Sequence, residues 1–425
     1  MRIWIVMTGE ALPTDGENVR LRRAALLARQ CALRGHEVTW WTSTFDHQHK
    51  RQRTPTHQCV TTKDNVRIEM LHAPAYRKNI SIGRLINHQV LGSVFARRIR
   101  TEAPPDLIFS TWPTIEFSTA SVEYAIREGL PVIIDVRDLW PDIFAGAVPR
   151  TLRPAACVVL LPLIRRAEYV FRNCTGICAI SPGYLNWALN YAGRPQRALD
   201  AVFPLGYDKP QPLQHEVARA RSELLQAGID HRKTICWFVG VFGATYDLGT
   251  VIRAAALLQQ RGCDGMQFVL SGTGEREPEW KRHAGDLRNV VFTGWVDSAR
   301  IACLGQLASI GLAAYSPSAP QGLPNKLFEY MAYGLPVVSS LPGEAEAFLR
   351  ESRCGLTYKA GDAESLVDAL LSLADTRQRR EYGDNGRRRY EADYSPARIY
   401  PSMVDYLEAV ASPGVRQRAQ AMSNL

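Results

Sequence analysis

Gln321-Gly-Leu-Pro-Asn-Lys-Leu-Phe-Glu-Tyr-Met-Ala-Tyr-Gly334-Leu-Pro-Val-Val-Ser-Ser340 reads as the helix and second strand of a βαβ unit. The apolar run ASIGLAAY from Ala308 precedes it, and PVVSS from Pro336 closes it. Pro324 suits a first helical position and Gly334 a helix stop. A helix placed after a parallel strand opens its N-terminus at the carboxyl edge of the sheet. Its free backbone N–H groups there favour an anion such as a diphosphate. Lys326 sits in the first turn, against the helix dipole, and is easier to explain if an anion binds nearby. Glu329, one turn on, can accept from two adjacent hydroxyls at once, as in a ribose diol. The plainer alternative is that Lys326 and Glu329, at i and i+3, form only a surface ion pair.

Outward from this segment the same alternation fills the chain. The first half offers strands RIWIVMT from Arg2, HEVTWWTST from His36, VRIEMLHAP from Val66, DLIFST from Asp106, PVIIDV from Pro131 and GICAIS from Gly176. Helical stretches between them are Val19–Arg34, Ile80–Thr101, Ile115–Glu128 and Ala167–Arg172. The second half offers TICWFVG, MQFVLSGTG, VVFTGW, ASIGLAAY, PVVSS and GLTYK. Continuous apolar strands alternating with helices predict α/β units with parallel sheets covered on both faces. A proline- and glycine-bearing pause from Ala192 to Gln214 separates the two series. The expected architecture is two doubly wound Rossmann-like domains facing across a cleft: residues 1–205, then 206–395. A C-terminal helical segment, 396–425, follows and ends in a polar tail. Ligands of such sheets bind at the strands' carboxyl ends.

The 425 residues are 46% hydrophobic and 22% charged, which excludes a disordered or fibrous chain. No apolar run approaches the ~18–20 residues of a membrane-spanning helix. The first residues, MRIWIVMTGEALP, lack the apolar core of a signal peptide and read as a buried strand. The nine cysteines stand in mostly apolar settings, as reduced thiols do. The expectation is a protein that stays where it is made, cytoplasmic and peripheral on the inner membrane face. The net charge of +9 is uneven: residues 51–100 hold 10 basic and 2 acidic groups, whereas residues 201–425 are neutral overall. A basic region attracts phosphates or anionic lipid, though it can be only a solvated face.

Pro131-Val-Ile-Ile-Asp-Val-Arg-Asp-Leu-Trp-Pro-Asp142 ends a buried strand in Asp135, Arg137, Asp138 and Trp140. Charges at that place face the ligand crevice or form a structural Arg–Asp network. Glycine turns follow three second-half strands: Gly240 and Gly243, Gly272 and Gly274, and Gly294. Small residues there let a phosphate or base approach the backbone. None is G-x-G-x-x-G, so a dinucleotide cofactor is not supported. Asp46-His-Gln-His-Lys50 has metal-like composition but no further ligand at defined spacing, and no Asp-x-Asp pair exists to hold a divalent ion; no metal is expected.

These segments together resemble glycosyltransferase family 4, of GT-B fold. The resemblance is carried by GENVRLRRAALLARQCALRGHEVTWWT, SPGYLNWALNYAG, VFPLGYD, NVVFTGWV and LPNKLFEYMAYGLPVVSS. DVRDLWPD, FGATYDLGTVIRAA and PNKLFEYM are similar to the subgroup that builds bacterial surface polysaccharides, such as the fucosamine transferases. The resemblance implies that Glu329 holds the donor ribose and that the turn Gly322, Leu323, Pro324 and Asn325 meets the diphosphate. It places the main chain of Val296 at the base and Gly16 in a first-half loop beside the diphosphate and acceptor. The family's glutamate pair would begin at 321, where this chain has Gln321, able to bond a sugar hydroxyl but not to act as a base. The basic pair that follows the strand ending at Gly240 is replaced by Val241 and Tyr246, which leaves Lys326, Arg137 and Arg20 to neutralise the diphosphate. A histidine after the fifth first-half strand is replaced by Arg137, beside Asp138, which favours electrostatic stabilisation of the leaving group.

The resemblance implies a retaining, metal-independent transferase with no cofactor beyond its nucleoside-diphosphate sugar, UDP-linked. The acceptor is expected to be an isoprenoid-pyrophosphoryl saccharide at an anionic membrane surface, with His47, Arg77, Lys78 and Arg84 in the basic region that meets it. A GT-B sugar-nucleotide epimerase and a non-catalytic nucleotide-sugar binder are the alternatives. Charge alone does not make a nucleic-acid partner.

Overall fold

A computed structural model describes residues 1–16, 19–78, 81–146, 148–149, 151, 153–319 and 321–415. The expected polar tail beyond residue 415, and Ile80 at the start of an expected helical stretch, lie outside them. The chain forms two compact units, residues 1–205 together with the segment from Ile399 on, and Gly206–Arg398.

In the first unit the strands are β1 (Arg2–Val6), β2 (Glu37–Ser43), β3 (Phe45–Asp46), β4 (Arg51–Gln52), β5 (Gln58–Thr61), β6 (Val66–Leu71), β7 (Leu107–Trp112), β8 (Val132–Val136), β9 (Gly176–Ala179) and β10 (Ala201–Val202). Eight of them make one sheet in the order β10-β9-β8-β7-β1-β2-β6-β5, parallel except for the edge pair β5–β6. The helices are α1 (Arg23–Leu33), α2 (Ile82–Arg98), α3 (Ile115–Glu128), α4 (Asp142–Gly146), α5 (Arg153–Asn173) and α6 (Pro182–Ala192). Trp4, Trp41, Phe95 and Trp112 fill one face of the sheet, and Ile3, Ile5 and Trp40 the other.

The second unit holds β11 (Thr234–Val239), β12 (Met266–Ser271), β13 (Val290–Gly294), β14 (Ile310–Ala313), β15 (Val337–Ser339) and β16 (Gly355–Thr357) in an all-parallel sheet of order β13-β12-β11-β14-β15-β16. Helices α7 (Gln214–Gln226), α8 (Leu248–Gln260), α9 (Glu277–Ala284), α10 (Ser298–Leu307), α11 (Asn325–Ala332), α12 (Glu344–Ser352), α13 (Ala363–Ser372) and α14 (Thr376–Arg389) connect and cover it. A last helix, α15 (Pro396–Val410), packs Tyr400, Met403 and Leu407 into the first unit's core beside Ile3 and Ile5.

Both strand orders reverse direction once, between β1 and β7 in the first unit and between β11 and β14 in the second. Open α/β sheets bind ligands outside the carboxyl ends of the strands at such a reversal. Two places are thereby singled out before any side chain is considered. One is the pair of loops after Val6 and Trp112, the other the pair after Val239 and Ala313.

Candidate functional site

In the second unit α11 begins at Asn325, with Pro324 as its cap in extended conformation, and Gly334 follows the helix at φ +68°. All but the first of its residues are buried, Lys326 and Glu329 included. The surface ion pair is therefore not what the structure contains. Lys326 reaches back to the end of β11, where its Nζ donates to the carbonyl of Val239. The ammonium lies over the rings of Phe238 at 4.4 Å and Tyr246 at 5.0 Å, so the cation is held against aromatic faces. A side chain at position 240 would put its Cβ 3.1 Å from Nζ, so the charge sits directly beside the Gly240 turn. Val241 stands 70% exposed on that turn.

Glu329 holds no ion pair among the described residues. Burial holds three phenols, Tyr246, Tyr315 and Tyr330, above the usual tyrosine range, and the Glu329 charge adds to this, as the next cause for Tyr330 and as a smaller one for Tyr246 and Tyr315. Gln321 Oε1 and Asn325 Oδ1 are buried without a hydrogen-bond partner, two acceptors in the turn that opens α11. Gln321 lines a cavity of about 500 Å³ with Ser316, Ser340, Thr357, Tyr358 and Lys359, which the sequence reading did not single out. Buried orphan acceptors cost ~1–3 kcal/mol each and fit a ligand that brings hydroxyl donors.

The other predicted positions divide. Gly243 faces open space. Gly272 and Gly274 are glycine for a packing reason: a Cβ at either would collide with the backbone of Gly240 or Phe242, because the β11 and β12 loops bond to each other through Phe242 N and Thr273 O at 2.8 Å. Their form is thus set by the neighbouring loop, with no ligand required. Val296 is buried beside exposed Trp295. Gly322 would meet the Glu344 carboxylate with any side chain. Gly16 lies in the loop between β1 and α1.

In the first unit a cavity of about 230 Å³ opens at the β1–β7 reversal, lined by Thr8, Gly9, His47, Tyr76, Arg84, His88, Thr114, Arg137 and Asp138 among others. His47, Arg84, Arg137 and Asp138 are brought together there. Arg77 and Lys78 are not: both are exposed on the surface before α2. Arg137 Nη1 is 2.5 Å from Glu10 Oε1, and the other oxygen of Glu10 accepts from Ala24 N at the start of α1. A guanidinium already paired in this way has less charge to give a leaving group than the sequence reading supposed. Asp135, at the end of the same strand, is fully buried on Arg23 at 2.8 Å and belongs to a structural network. Burial pushes the Asp138 carboxyl up. Glu10, Thr8 and Thr114 went unremarked in the sequence, although the strand-end rule applied to β1 and β7 points to them.

Residues 233–376 match the family model described as Glycosyl transferases group 1. A lipopolysaccharide core biosynthesis glycosyltransferase of Rhizobium meliloti is 30% identical over 167 residues, 38% of this chain and 45% of that protein. The match thus spans less than half of the relative. Sucrose-phosphate synthase from Thermosynechococcus elongatus superposes with a TM-score of 0.71 at 18% identity, over 96% of this chain and 98% of that one. The Anabaena protein HepE, solved in complex with UDP, superposes with a TM-score of 0.66 at 15% identity, over 96% and 100%. At these identities the structures establish the fold, which is GT-B.

Proposed function

We propose that this chain, which belongs to the group 1 glycosyl transferases through residues 233–376, moves a sugar from UDP onto a lipid-linked saccharide of a bacterial surface polysaccharide. The observation that carries the reading is the Lys326–Glu329 helix at the β11–β14 reversal. It offers a cation beside a glycine turn for the diphosphate and a buried carboxylate for the ribose. In this reading the turn of Gly322, Leu323, Pro324 and Asn325 meets the diphosphate, the Gln321 amide a sugar hydroxyl, and the main chain of Val296 the base. The polysaccharide context is supported by the Rhizobium meliloti relative, and the UDP donor by the HepE complex.

The proposed transfer is retaining and needs no metal. The leaving diphosphate oxygen can itself receive the acceptor proton. The protein's work is then orientation and stabilisation of developing negative charge by Lys326 and the N-terminus of α11. A ligand that binds only the native state raises the melting temperature, by about 2.7 kcal/mol of stabilisation at a hundredfold excess over Kd. A thermal-shift screen of nucleoside diphosphates is expected to show UDP stabilising the protein with EDTA present. No shift with any nucleoside diphosphate would reject the donor assignment. The sugar-nucleotide epimerase remains the second reading because the first unit's cavity holds acid–base groups, His47, His88 and Asp138. Product analysis separates the two, since an epimerase needs no acceptor.

The membrane-surface acceptor is supported by one end of the first unit. Helices α2 and α5 each precede a parallel strand, so their N-termini lie at the sheet's carboxyl edge. Arg166 of α5 reaches Gln89 of α2 at 3.4 Å. Within about two turns before that contact, at 3.6 residues per turn, stand exposed Ile82, Leu85 and Ile86 on one helix and Val158, Val159 and Leu161 on the other. Grouped exposed apolar residues beside Arg77 and Lys78 fit an anionic lipid surface better than solvent. No helix among the described residues is long and apolar enough to cross a membrane. Co-sedimentation with vesicles of rising anionic lipid content is expected to fall on Arg77→Glu/Lys78→Glu substitution and with salt, at ~1 kcal/mol per charge. Binding that ignores both would leave these residues a solvated face.

A further inference from the structure

We infer that the first unit's cavity is an anion site for the phosphate or pyrophosphate of the acceptor, with Lys50 and Arg84 as its counter-charges and His47 as the group that takes up a proton when the anion arrives. The inference rests on the transferase reading above and adds to it the place and the chemistry of acceptor recognition.

The geometry gathers cations against imidazoles. Lys50 Nζ lies 3.3 Å from His47 Nδ1, and the hydroxyl of Tyr76 lies 2.5 Å from the same nitrogen. An ammonium can only donate, so Nδ1 is an acceptor and the ring proton of neutral His47 sits on Nε2. Arg84 Nε donates to His88 Nε2 at 3.4 Å, and its guanidinium stacks 4.5 Å over Trp140. The hydroxyls of Thr8 and Thr114, 2.9 Å apart, add donors at the ends of β1 and β7. Lysine, arginine, imidazole N–H and two hydroxyls are the donor set a phosphate uses.

Size narrows the ligand. The cavity of about 230 Å³ holds roughly eight waters at ~30 Å³ each, which suits a small anion, and is below the ~300 Å³ where small-molecule pockets begin. Helix α2 ties this cavity to the apolar end of the unit. Arg84, Asn87, His88 and Leu91 line the cavity, whereas Ile82, Leu85 and Ile86 on the same helix are exposed. A headgroup in the cavity leaves its lipid chain beside those residues.

The electrostatics agree in sign. Burial, then Lys50 and Arg84, hold His47 down to about 4, with Arg22 adding to the effect and Asp46 opposing it. Burial, with Arg84 and His47, holds His88 down to about 3. Both rings are neutral at pH 7. Asp46 is engaged by His49 at 2.7 Å, and Asp138 faces the positive charge of Arg84. Glu116 lies 3.9 Å from His88 on the side of α3. An anion placed against His47 favours the charged ring and must raise its pKa.

The test is NMR of the full chain with histidine labelled at Cε1, titrated from pH 8 to 5.5, with His47→Gln locating the signal. Without ligand His47 is expected to stay neutral throughout. With saturating inorganic pyrophosphate its midpoint is expected to enter the window, a rise of more than one pH unit. Lys50→Gln/Arg84→Gln is expected to bind pyrophosphate at least tenfold more weakly while keeping its UDP-induced thermal shift, which also shows that the variant folds. A His47 ring that stays neutral with pyrophosphate bound, or a double variant that binds like wild type, overturns the inference. So does a His47 shift produced by UDP alone, which would give the cavity to the donor. Absence of any UDP binding with the His47 shift intact would instead fell the transferase reading and leave the anion site standing.

Discussion

Asp135→Ala is expected to destabilise the first unit by about 3–5 kcal/mol, the cost of leaving a buried charge without its partner. Asp135 ends β8, and its Oδ1 meets Arg23 Nη2 at 2.8 Å with both side chains at or below 1% exposure. The guanidinium is further tied to the carbonyls of Phe203 and Pro204 at 2.7 and 3.0 Å. Those carbonyls cannot neutralise it. The exposed Arg2–Glu37 pair makes the contrast: its distance of 3.0 Å is nearly the same, yet solvent screening leaves such a pair worth ~0–1 kcal/mol. At ~2–4 °C per kcal/mol for a unit of this size, the melting temperature should fall by roughly ten degrees. Arg23→Met combined with Asp135→Leu should recover most of the loss, because an apolar pair of similar volume removes the desolvation cost of both ions. Calorimetry on the three variants checks this. A loss below ~1 kcal/mol for the single substitution would mean that water reaches Arg23.

That pair also marks where the sequence stopped being readable. DVRDLWPD announces charges at a strand end, but nothing in the string says that Asp135 turns under the sheet while Arg137 and Asp138 line the cavity. Strands β11, β12 and β14 of the second unit were legible because they are short, mostly apolar runs buried along nearly their whole length. Helix α5 was legible only in part, since the expected helical stretch, Ala167–Arg172, covers only its last turns. The structure carries the helix from Arg153 to Asn173 with Pro162 exposed, on the side where a carbonyl that loses its N–H partner can meet water. The hairpin β3–β4 and the edge strand β5 lie in a polar, basic stretch with no apolar alternation to reveal them. Helix α6 was readable in principle, since Ser181 caps it and Pro182 opens it. The missing site residues have a different cause. Thr8, Glu10 and Thr114 become neighbours only because β1 and β7 pair, and strand order is not local information.

Glu329→Ala is expected to weaken UDP binding roughly ten- to a hundredfold, from the ~1.5–3 kcal/mol that a charged hydrogen-bonding partner contributes. The fold should survive, and the reason is the opposite of the Asp135 case. Glu329 is 8% exposed but holds no ion pair among the described residues, so its removal strands no buried cation. Lys326 keeps its bond to the Val239 carbonyl and its place over Phe238. Alanine is also the best helix former for the middle of α11. The lost charge should instead be felt by Tyr246, Tyr315 and Tyr330, whose phenols titrate lower once the carboxylate is gone. Calorimetric titration with UDP, uridine and a deoxyribose analogue separates the contributions. If Glu329 holds the ribose diol, the substitution costs UDP and uridine alike and costs the deoxyribose analogue less. Lys326→Ala should show the other pattern, weakening UDP far more than uridine, because its charge acts on phosphate. Equal losses for both ligands in the lysine variant, or unchanged binding in the glutamate variant, would detach α11 from the donor. Its buried charges would then need another cause, since a lysine and a glutamate buried within one turn of each other cost free energy that packing alone does not return.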